Sequence, residues 1–244
     1  VKRQSQILES IQQHGFRSVR DLADELRVDE STIRRHLAKL DELQLIERSY
    51  GGARIQLSAD EAEPPTPHIR EKRLIGRAMA DRIREGQVVL LDSGTTTLEV
   101  AKALEHAELT IVTNDLRIGL EVAKRPGIQL VFIGGELLPE STNMWGPTAV
   151  EQVQQLRVDV AIFGADSISD NGAFSNTSYE IELQRAMLDS AKDAFLVADS
   201  SKFHRRALFR VFSLDRFTSI ITDSFLNPLR ASQLPLPVIR ASVS

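Results

Sequence analysis

The chain of 244 residues contains no cysteine. That excludes disulfide staples and cysteine-ligated zinc, and it fits a reducing compartment. Histidine is sparse as well: His14, His36, His68, His106 and His204 are scattered, with no metal-ligand spacing. No metal and no cofactor is therefore expected. No apolar run approaches the ~20 residues that span a bilayer. The opening Val1-Lys2-Arg3-Gln4 lacks the apolar stretch of a secretory signal. The expectation is a cytoplasmic protein with no membrane partner. Nor is there a strong charge of either sign. The net charge of −4 and pI near 5.8 argue, for the chain as a whole, against unspecific binding to nucleic acid. What is present is a globular composition, 42% hydrophobic and 26% charged. Its charge changes along the chain, so the whole-chain balance is a weak test of any one domain.

Residues 1–57 read as a small helical unit. Ile7, Leu8 and Ile11 recur at helical spacing, and Gly15 ends that helix. Ser18 is placed to cap a second helix with Leu22, Ala23 and Leu26 on its apolar stripe. After a turn at Arg27-Val28-Asp29, Asp29 is placed to cap a third, with Ile33, Leu37 and Leu40 buried. Leu45 to Arg48 and Tyr50 to Ile55 then form a short hairpin with a glycine tip. Residues 58–67, acidic and then proline-rich, read as a linker, semi-extended at its proline end.

From residue 68 to 244 the pattern changes. A helix rich in Arg and Lys (Ile69 to Arg84) leads into β-branched runs that alternate with helices. The runs are 88–91, 109–112, 129–133, 158–163, 194–198 and 219–221. Continuous apolar strands alternating with helices predict an α/β domain with a parallel sheet covered on both faces.

The small unit carries a DNA-reading pattern. With Ile33, Leu37 and Leu40 inward, the residues Ser31, Thr32, Arg35, His36 and Lys39 fall on outward faces, with Arg34 at the boundary. Arg and Lys reach guanine edges or phosphates, and hydroxyls bond phosphate oxygens. Asp and Glu gather elsewhere, at Asp21, Asp24, Glu25, Asp41 and Glu42, and the stretch from Ser31 to Leu40 has cations and no acid. The hairpin adds Arg48, Tyr50 and Arg54 around Gly51-Gly52.

Residues 2–56 resemble the DNA-binding domain of the DeoR family of bacterial transcription regulators. The resemblance rests on Ser31-Thr32-Ile33-Arg34-Arg35-His36-Leu37 and on Leu45-Ile46-Glu47-Arg48-Ser49-Tyr50-Gly51-Gly52-Ala53. The family usually shows Thr-Ile-Arg-Arg-Asp-Leu, then a basic wing ending His-Gly-Gly-Ala. Here His36 stands in place of the Asp, which removes a repulsion from phosphate, and Tyr50 stands in place of the wing His. The resemblance implies a winged helix-turn-helix that binds double-stranded operator DNA.

In the larger region the clearest site signal is Asp92-Ser93-Gly94-Thr95-Thr96-Thr97, a glycine loop with hydroxyls between a strand and a helix. A helix N-terminus there suits a phosphate. Polar groups and glycines also follow the other strands: Thr113-Asn114-Asp115, Gly134-Gly135-Glu136, Gly164-Ala165-Asp166-Ser167 and Asp199-Ser200-Ser201-Lys202. Each could be turn chemistry; their shared place at strand C-termini is where open α/β sheets bind ligands.

These segments, from about residue 70 to 223, resemble the DeoR-family effector domain, which has a ribose-5-phosphate-isomerase-like, Rossmann-like fold and senses sugar phosphates. The resemblance implies that Ser93 to Thr97 hold the phosphate while Asp166, Glu182 and Lys202 face the rest of the ligand. Phe203-His204 departs from the family's Phe-Gly, and Phe174-Ser175-Asn176-Thr177-Ser178 departs from its usual Thr-rich turn. An isomerase needs a base and groups that stabilise an enediolate. The isomerases have an Asp at the position of Phe163, and a Lys where this chain reads Phe174-Ser175-Asn176. Binding without turnover is the expectation; the alternative is a sugar-phosphate isomerase with an accessory DNA-binding head. A third reading, an architectural DNA binder without a ligand, is disfavoured by the Ser93–Thr97 loop. Trp145 is expected in a loop after the third strand, Lys72 and Arg73 in solvent or at a subunit contact, and Phe209 and Phe212 in the core. Paired half-sites call for a homo-oligomer, a dimer or tetramer. The chain is thus expected to be a repressor that links a small phosphorylated metabolite to operator DNA.

Overall fold

A computed structural model describes residues 4, 6, 7, 10, 11, 16–42, 46–49, 51–55, 66–106, 108–139 and 141–242, with the backbone alone for residues 42, 47–49, 54 and 55. The chain divides into two compact units, Val1–Thr66 and Pro67–Ser244. Most of the 58–67 segment, with Leu8, Gly15 and Leu45, lies outside the described residues.

In the first unit the elements run β1 (Phe16–Ser18), α1 (Val19–Leu26), α2 (Glu30–Glu42), β2 (Ile46–Ser49) and β3 (Gly52–Ile55). Ser18 caps α1 through a reciprocal box: the Asp21 amide donates to Ser18 Oγ at 3.0 Å, and the Ser18 amide to Asp21 Oδ2 at 3.4 Å. The helix stops at Arg27, which turns left-handed at φ 51°. Asp29 opens α2 by accepting the Thr32 amide at 2.9 Å. Ile33, Leu37 and Leu40 then face inward and close a core with Ile7, Ile11, Leu22 and Ile46. The wing strands β2 and β3 pair antiparallel, Ser49 opposite Gly52. β1, which the hydrophobic pattern does not announce, adds a third strand against β3. That pairing explains Gly52, since a Cβ there would lie 2.4 Å from the Arg17 carbonyl oxygen.

The second unit begins with α3 (Ile69–Ala80). It continues β4 (Val88–Leu91), α4 (Thr95–Ala103), β5 (Thr110–Thr113), α5 (Leu116–Ala123), β6 (Gln129–Phe132), β7 (Glu136–Leu137), β8 (Met144–Trp145) and α6 (Pro147–Gln154). Then come β9 (Val158–Phe163), β10 (Ser167–Ser169), β11 (Gly172–Ser175), α7 (Ile181–Ser190), β12 (Ala191–Val197), β13 (Phe209–Phe212), β14 (Ser219–Asp223), α8 (Pro228–Ser232) and β15 (Val238–Ala241). Seven strands make one parallel sheet in the order β15-β14-β12-β9-β4-β5-β6. The winged helix-turn-helix and the parallel α/β sheet are the fold class the sequence implies.

Period-two alternation sorts the strand residues to two faces. Leu90, Val112, Ala161 and Leu196 join one core with α6 and α7; Val89, Leu91, Ile111 and Ile162 join another with α3, α4 and α5. Where α3 crosses α4 the backbones nearly touch: a Cβ on Gly76 would lie 2.5 Å from the Glu99 carbonyl oxygen. Lys72 departs from expectation. It is 5% exposed, on the inner side of α3, and burial holds its amine below the usual lysine range while Asp199 pulls the other way. Arg73, one residue on, does reach solvent and lies 3.6 Å from Glu99. Two small antiparallel sheets, β7-β8 and β10-β11-β13, are additions that the parallel pattern conceals.

Candidate functional site

Chain order reverses across β4: β5 and β6 lie on one side, β9, β12, β14 and β15 on the other. The C-terminal ends of β4 and β9 therefore diverge, which is where open α/β sheets bind ligands. A cavity of about 220 Å³ opens there. β4 ends in Asp92-Ser93-Gly94 and α4 starts at Thr95. Gly94 sits at φ 137°, a backbone that L side chains rarely adopt. Its carbonyl accepts from Thr97 Oγ1 at 2.8 Å and from the Leu98 amide at 3.0 Å. The first N–H groups of a helix have no acceptor within it, so α4 presents donors and the positive end of its dipole to the cavity.

Around this loop the walls carry one amine and three carboxylates. Lys202 comes from the 3₁₀ turn Ser200–His204, and Asp166 follows β9. Asp166 accepts the Asn176 amide at 2.9 Å. Glu180 accepts from Ser93 Oγ and Asn114 Nδ2, both at 3.4 Å, and from Asn143 Nδ2 at 3.2 Å. It ties the loop after β4 to the segments after β5 and before β8. Asp92 is 1% exposed. Burial first, then the nearby Glu180, pushes its carboxyl up to about 8. Burial also raises Glu180, against hydrogen bonds from Asn143, Asn114 and Ser93.

Of the residues singled out in the sequence, the fold brings Asp92, Ser93, Gly94, Thr95, Thr96, Asp166 and Lys202 to this cavity. Others support it from behind. Thr97, Thr113 and Asn114 are fully buried; Thr113 Oγ1 accepts the Asp115 amide at 3.2 Å, and Asn114 also donates to the Met144 carbonyl at 2.8 Å. Gly134 donates its amide to Gln152 at 3.1 Å. Gly135, at φ 149°, leaves room for the Trp145 carbonyl oxygen, 2.4 Å from where a Cβ would stand. Neither glycine lines the cavity. Glu182 is a correction: it is exposed, while Glu180 and Gln184 line the wall. At 100° per residue, 180 and 184 share a face of α7 and 182 lies opposite. Trp145 belongs to β8, not to a loop, and meets Tyr179 edge-on at 5.5 Å. Phe212 is core, whereas Phe209 is half-buried.

On α2 the side chains of Ser31, Arg34, Arg35 and Lys39 are exposed, and those of Thr32 and His36 half-exposed. The hydroxyls, however, are already engaged. Ser31 donates to Asp29 Oδ1, and Thr32 Oγ1 donates to Asp29 Oδ2 at 2.9 Å. These bonds hold the Asp29 carboxyl far below the usual carboxylate range. In this arrangement neither hydroxyl has a proton left for a phosphate. Arg34 pairs with Glu30 at 2.6 Å, which leaves Arg35 and Lys39 as the cations of α2 with no ion pair among the described residues. Gly51 turns the wing at φ 83°. Tyr50 and the side chains of Arg48 and Arg54 lie outside what the structure describes.

A capped helix-turn-helix with a wing, in one chain with a polar cavity at the ends of a parallel sheet, defines a ligand-responsive DNA-binding regulator. Comparison with known proteins agrees: residues 3–59 match the DeoR-like helix-turn-helix domain, and residues 67–224 match the DeoR C terminal sensor domain. The chain belongs to the DeoR family of transcription regulators. It is 31% identical over 229 residues to the glycerol-3-phosphate regulon repressor of Escherichia coli, covering 92% of this chain and 91% of that one. The protein of that name in Haemophilus influenzae is 32% identical over 250 residues, covering 99% and 98%. The transcriptional repressor AccR of Agrobacterium fabrum is 33% identical over 229 residues, covering 91% and 89%. Among solved structures, ribose 5-phosphate isomerase A of Methanocaldococcus jannaschii superposes on 54% of this chain and 53% of its own, with TM-score 0.40 and 16% identity.

The chain is accordingly a DNA-binding transcription regulator and not an enzyme. Phe163 is fully buried and packs edge-on against Phe212 and Phe217 at 4.9 and 5.8 Å. No helix among the described residues is long and apolar enough to cross a membrane.

Proposed function

We propose that this regulator is a repressor whose grip on double-stranded operator DNA is set by a small phosphorylated metabolite, a sugar or polyol phosphate. The observation that carries the reading is the opening of α4 onto the cavity beside Lys202. Ser93 to Thr97 and Lys202 hold the phosphate; Asp92, Asp166, Glu180 and Gln184 face the remainder. Relatives named as glycerol-3-phosphate regulon repressors support that ligand class. Residues 1–57 form the reading head, with Arg34, Arg35, His36 and Lys39 on its helix and Arg48, Tyr50 and Arg54 on its wing. Residues 58–67 link it to a sensing and oligomerising domain, 68–244. The protein works in the cytoplasm, where its DNA lies, as a dimer or tetramer that pairs two heads on two half-sites. Ligand selects one arrangement of the sensing domains and so changes the spacing of the heads, with a coupling of about 1–3 kcal/mol.

The test is a thermal-shift panel of sugar and polyol phosphates with their unphosphorylated parents, followed by operator binding with and without each hit. A ligand at ~100 times its Kd adds about 2.7 kcal/mol. A phosphate-dependent hit that changes operator affinity is expected. A saturating ligand that leaves operator affinity unchanged overturns the linkage.

A further inference from the structure

The cavity holds an imbalance of charge. Lys202 is the one lysine or arginine among its described lining residues, against the carboxylates Asp166 and Glu180; Asp92, pushed up to about 8, keeps its proton near neutral pH and adds no charge. Lys72 feels Lys202 and Arg205 on one hand and Asp199 and Glu99 on the other, and it does not line the cavity. The remaining positive field is the N-terminus of α4, worth about half a charge. A bound phosphate uses both the lysine and that half charge. No other lysine or arginine among the described lining residues is left for a second anion, and the carboxylates face whatever the phosphate is attached to. An ionised carboxylate can only accept hydrogen bonds, so it suits hydroxyl donors.

Resting on the phosphate reading above, we propose that Asp166 and Glu180 set the ligand class: the pocket takes a phosphate monoester whose remainder is uncharged and rich in hydroxyls, and rejects phosphorylated acids and bisphosphates. Two independent features support this. Asp92 Oδ1 is buried with no partner among the described residues, although Oδ2 accepts from Gln184. A buried polar atom left unpaired is costly, and a cavity-lining one awaits a ligand group. Also, the pocket already refuses one negative charge: burial first, then Glu180 and Asp115, push the Asp92 carboxyl up to about 8, so that it stays protonated. A further carboxylate or phosphate brought into the same space would meet that repulsion in a region of low dielectric, where it is strongest.

The experiment uses matched probes on the full chain, with binding read by calorimetry. Glycerol phosphate is compared with phosphoglycerate, erythritol phosphate with phosphoerythronate, and sorbitol phosphate with phosphogluconate, each beside its unphosphorylated polyol. The expected result is that, in the pair of fitting length, the polyol phosphate binds at least about tenfold more tightly than its acid, the effect of ~1.4 kcal/mol. Glu180→Gln or Asp166→Asn then narrows that gap by raising affinity for the acid. This is a gain of binding that a damaged pocket would not produce. An acid that binds the wild-type protein as well as its polyol partner overturns the proposal, as does a gap that neither variant changes. If no phosphorylated compound binds at all, the phosphate reading fails and takes this proposal with it. If the unphosphorylated polyol binds as tightly as its ester, the phosphate reading is overturned, and with it the monoester requirement stated here.

Discussion

Gln184 donates its side-chain amide to the carboxylate of Asp92 across 2.8 Å. This single bond pins the wall helix α7 to the base of the loop that opens onto α4. It also leaves Asp92 with a neutral partner in a buried place, and that choice has a consequence for pH. The folded carboxyl sits at about 8, raised by burial and by Glu180 from a reference of 3.8. Between those values the folded chain holds a proton that the unfolded chain has released.

Stability should therefore be full below about pH 4 as far as this group is concerned, and be lost as pH rises toward about 8. Asp92→Asn keeps the shape and removes the charge. Its melting temperature should exceed that of the wild type near pH 8, with the difference closing toward pH 4. Parallel melting curves across that range would show that Asp92 is not the group responsible.

Arg35 is exposed on α2 and has no ion pair among the described residues, unlike Arg34 with Glu30. Arg35→Ala should weaken operator binding by about 1–3 kcal/mol if it reads a base edge, and leave effector binding intact. Fluorescence anisotropy on operator and scrambled DNA separates the modes. Equal loss on both, with a shallower salt dependence, would mean a phosphate contact instead.

Lys202→Gln removes the amine that the cavity offers to an anion. Effector affinity should fall by about 1.5–3 kcal/mol, the usual worth of a hydrogen bond to a charged group. Operator binding without effector should stay as in the wild type. Unchanged effector affinity by calorimetry would place the phosphate elsewhere.

Gly76→Ala forces a methyl to within 2.5 Å of the Glu99 carbonyl oxygen. Helix α3 must then move off α4, at a cost of about 1–3 kcal/mol. Chemical denaturation of the full chain should show the loss in the transition of the larger unit. A variant as stable as the wild type would mean that the two helices separate without penalty.

Much of this protein was legible in local sequence. Helix starts were readable because a cap is a contact over three residues, as Ser18 with Asp21 and Asp29 with Thr32 show. Strands and core faces were readable because burial repeats with the period of the element, as Ile33, Leu37 and Leu40 do on α2. The gathering of polar residues at strand ends followed from the α/β pattern itself. The tertiary structure decided what depends on phase and on distant partners. Glu180 rather than Glu182 faces the cavity because the starting point of α7, not its sequence, fixes which face turns inward. Gln184 meets Asp92 only because the switch in strand order brings β4 beside β9 and the segment that follows it. Lys72 is buried on the inner side of α3, among Asp199, Lys202, Arg205 and Glu99, which come from distant parts of the chain. Spacing along a chain sets the faces of each element, but charge and burial at the site are sums over neighbours from far apart in sequence, and only the assembled fold supplies those neighbours.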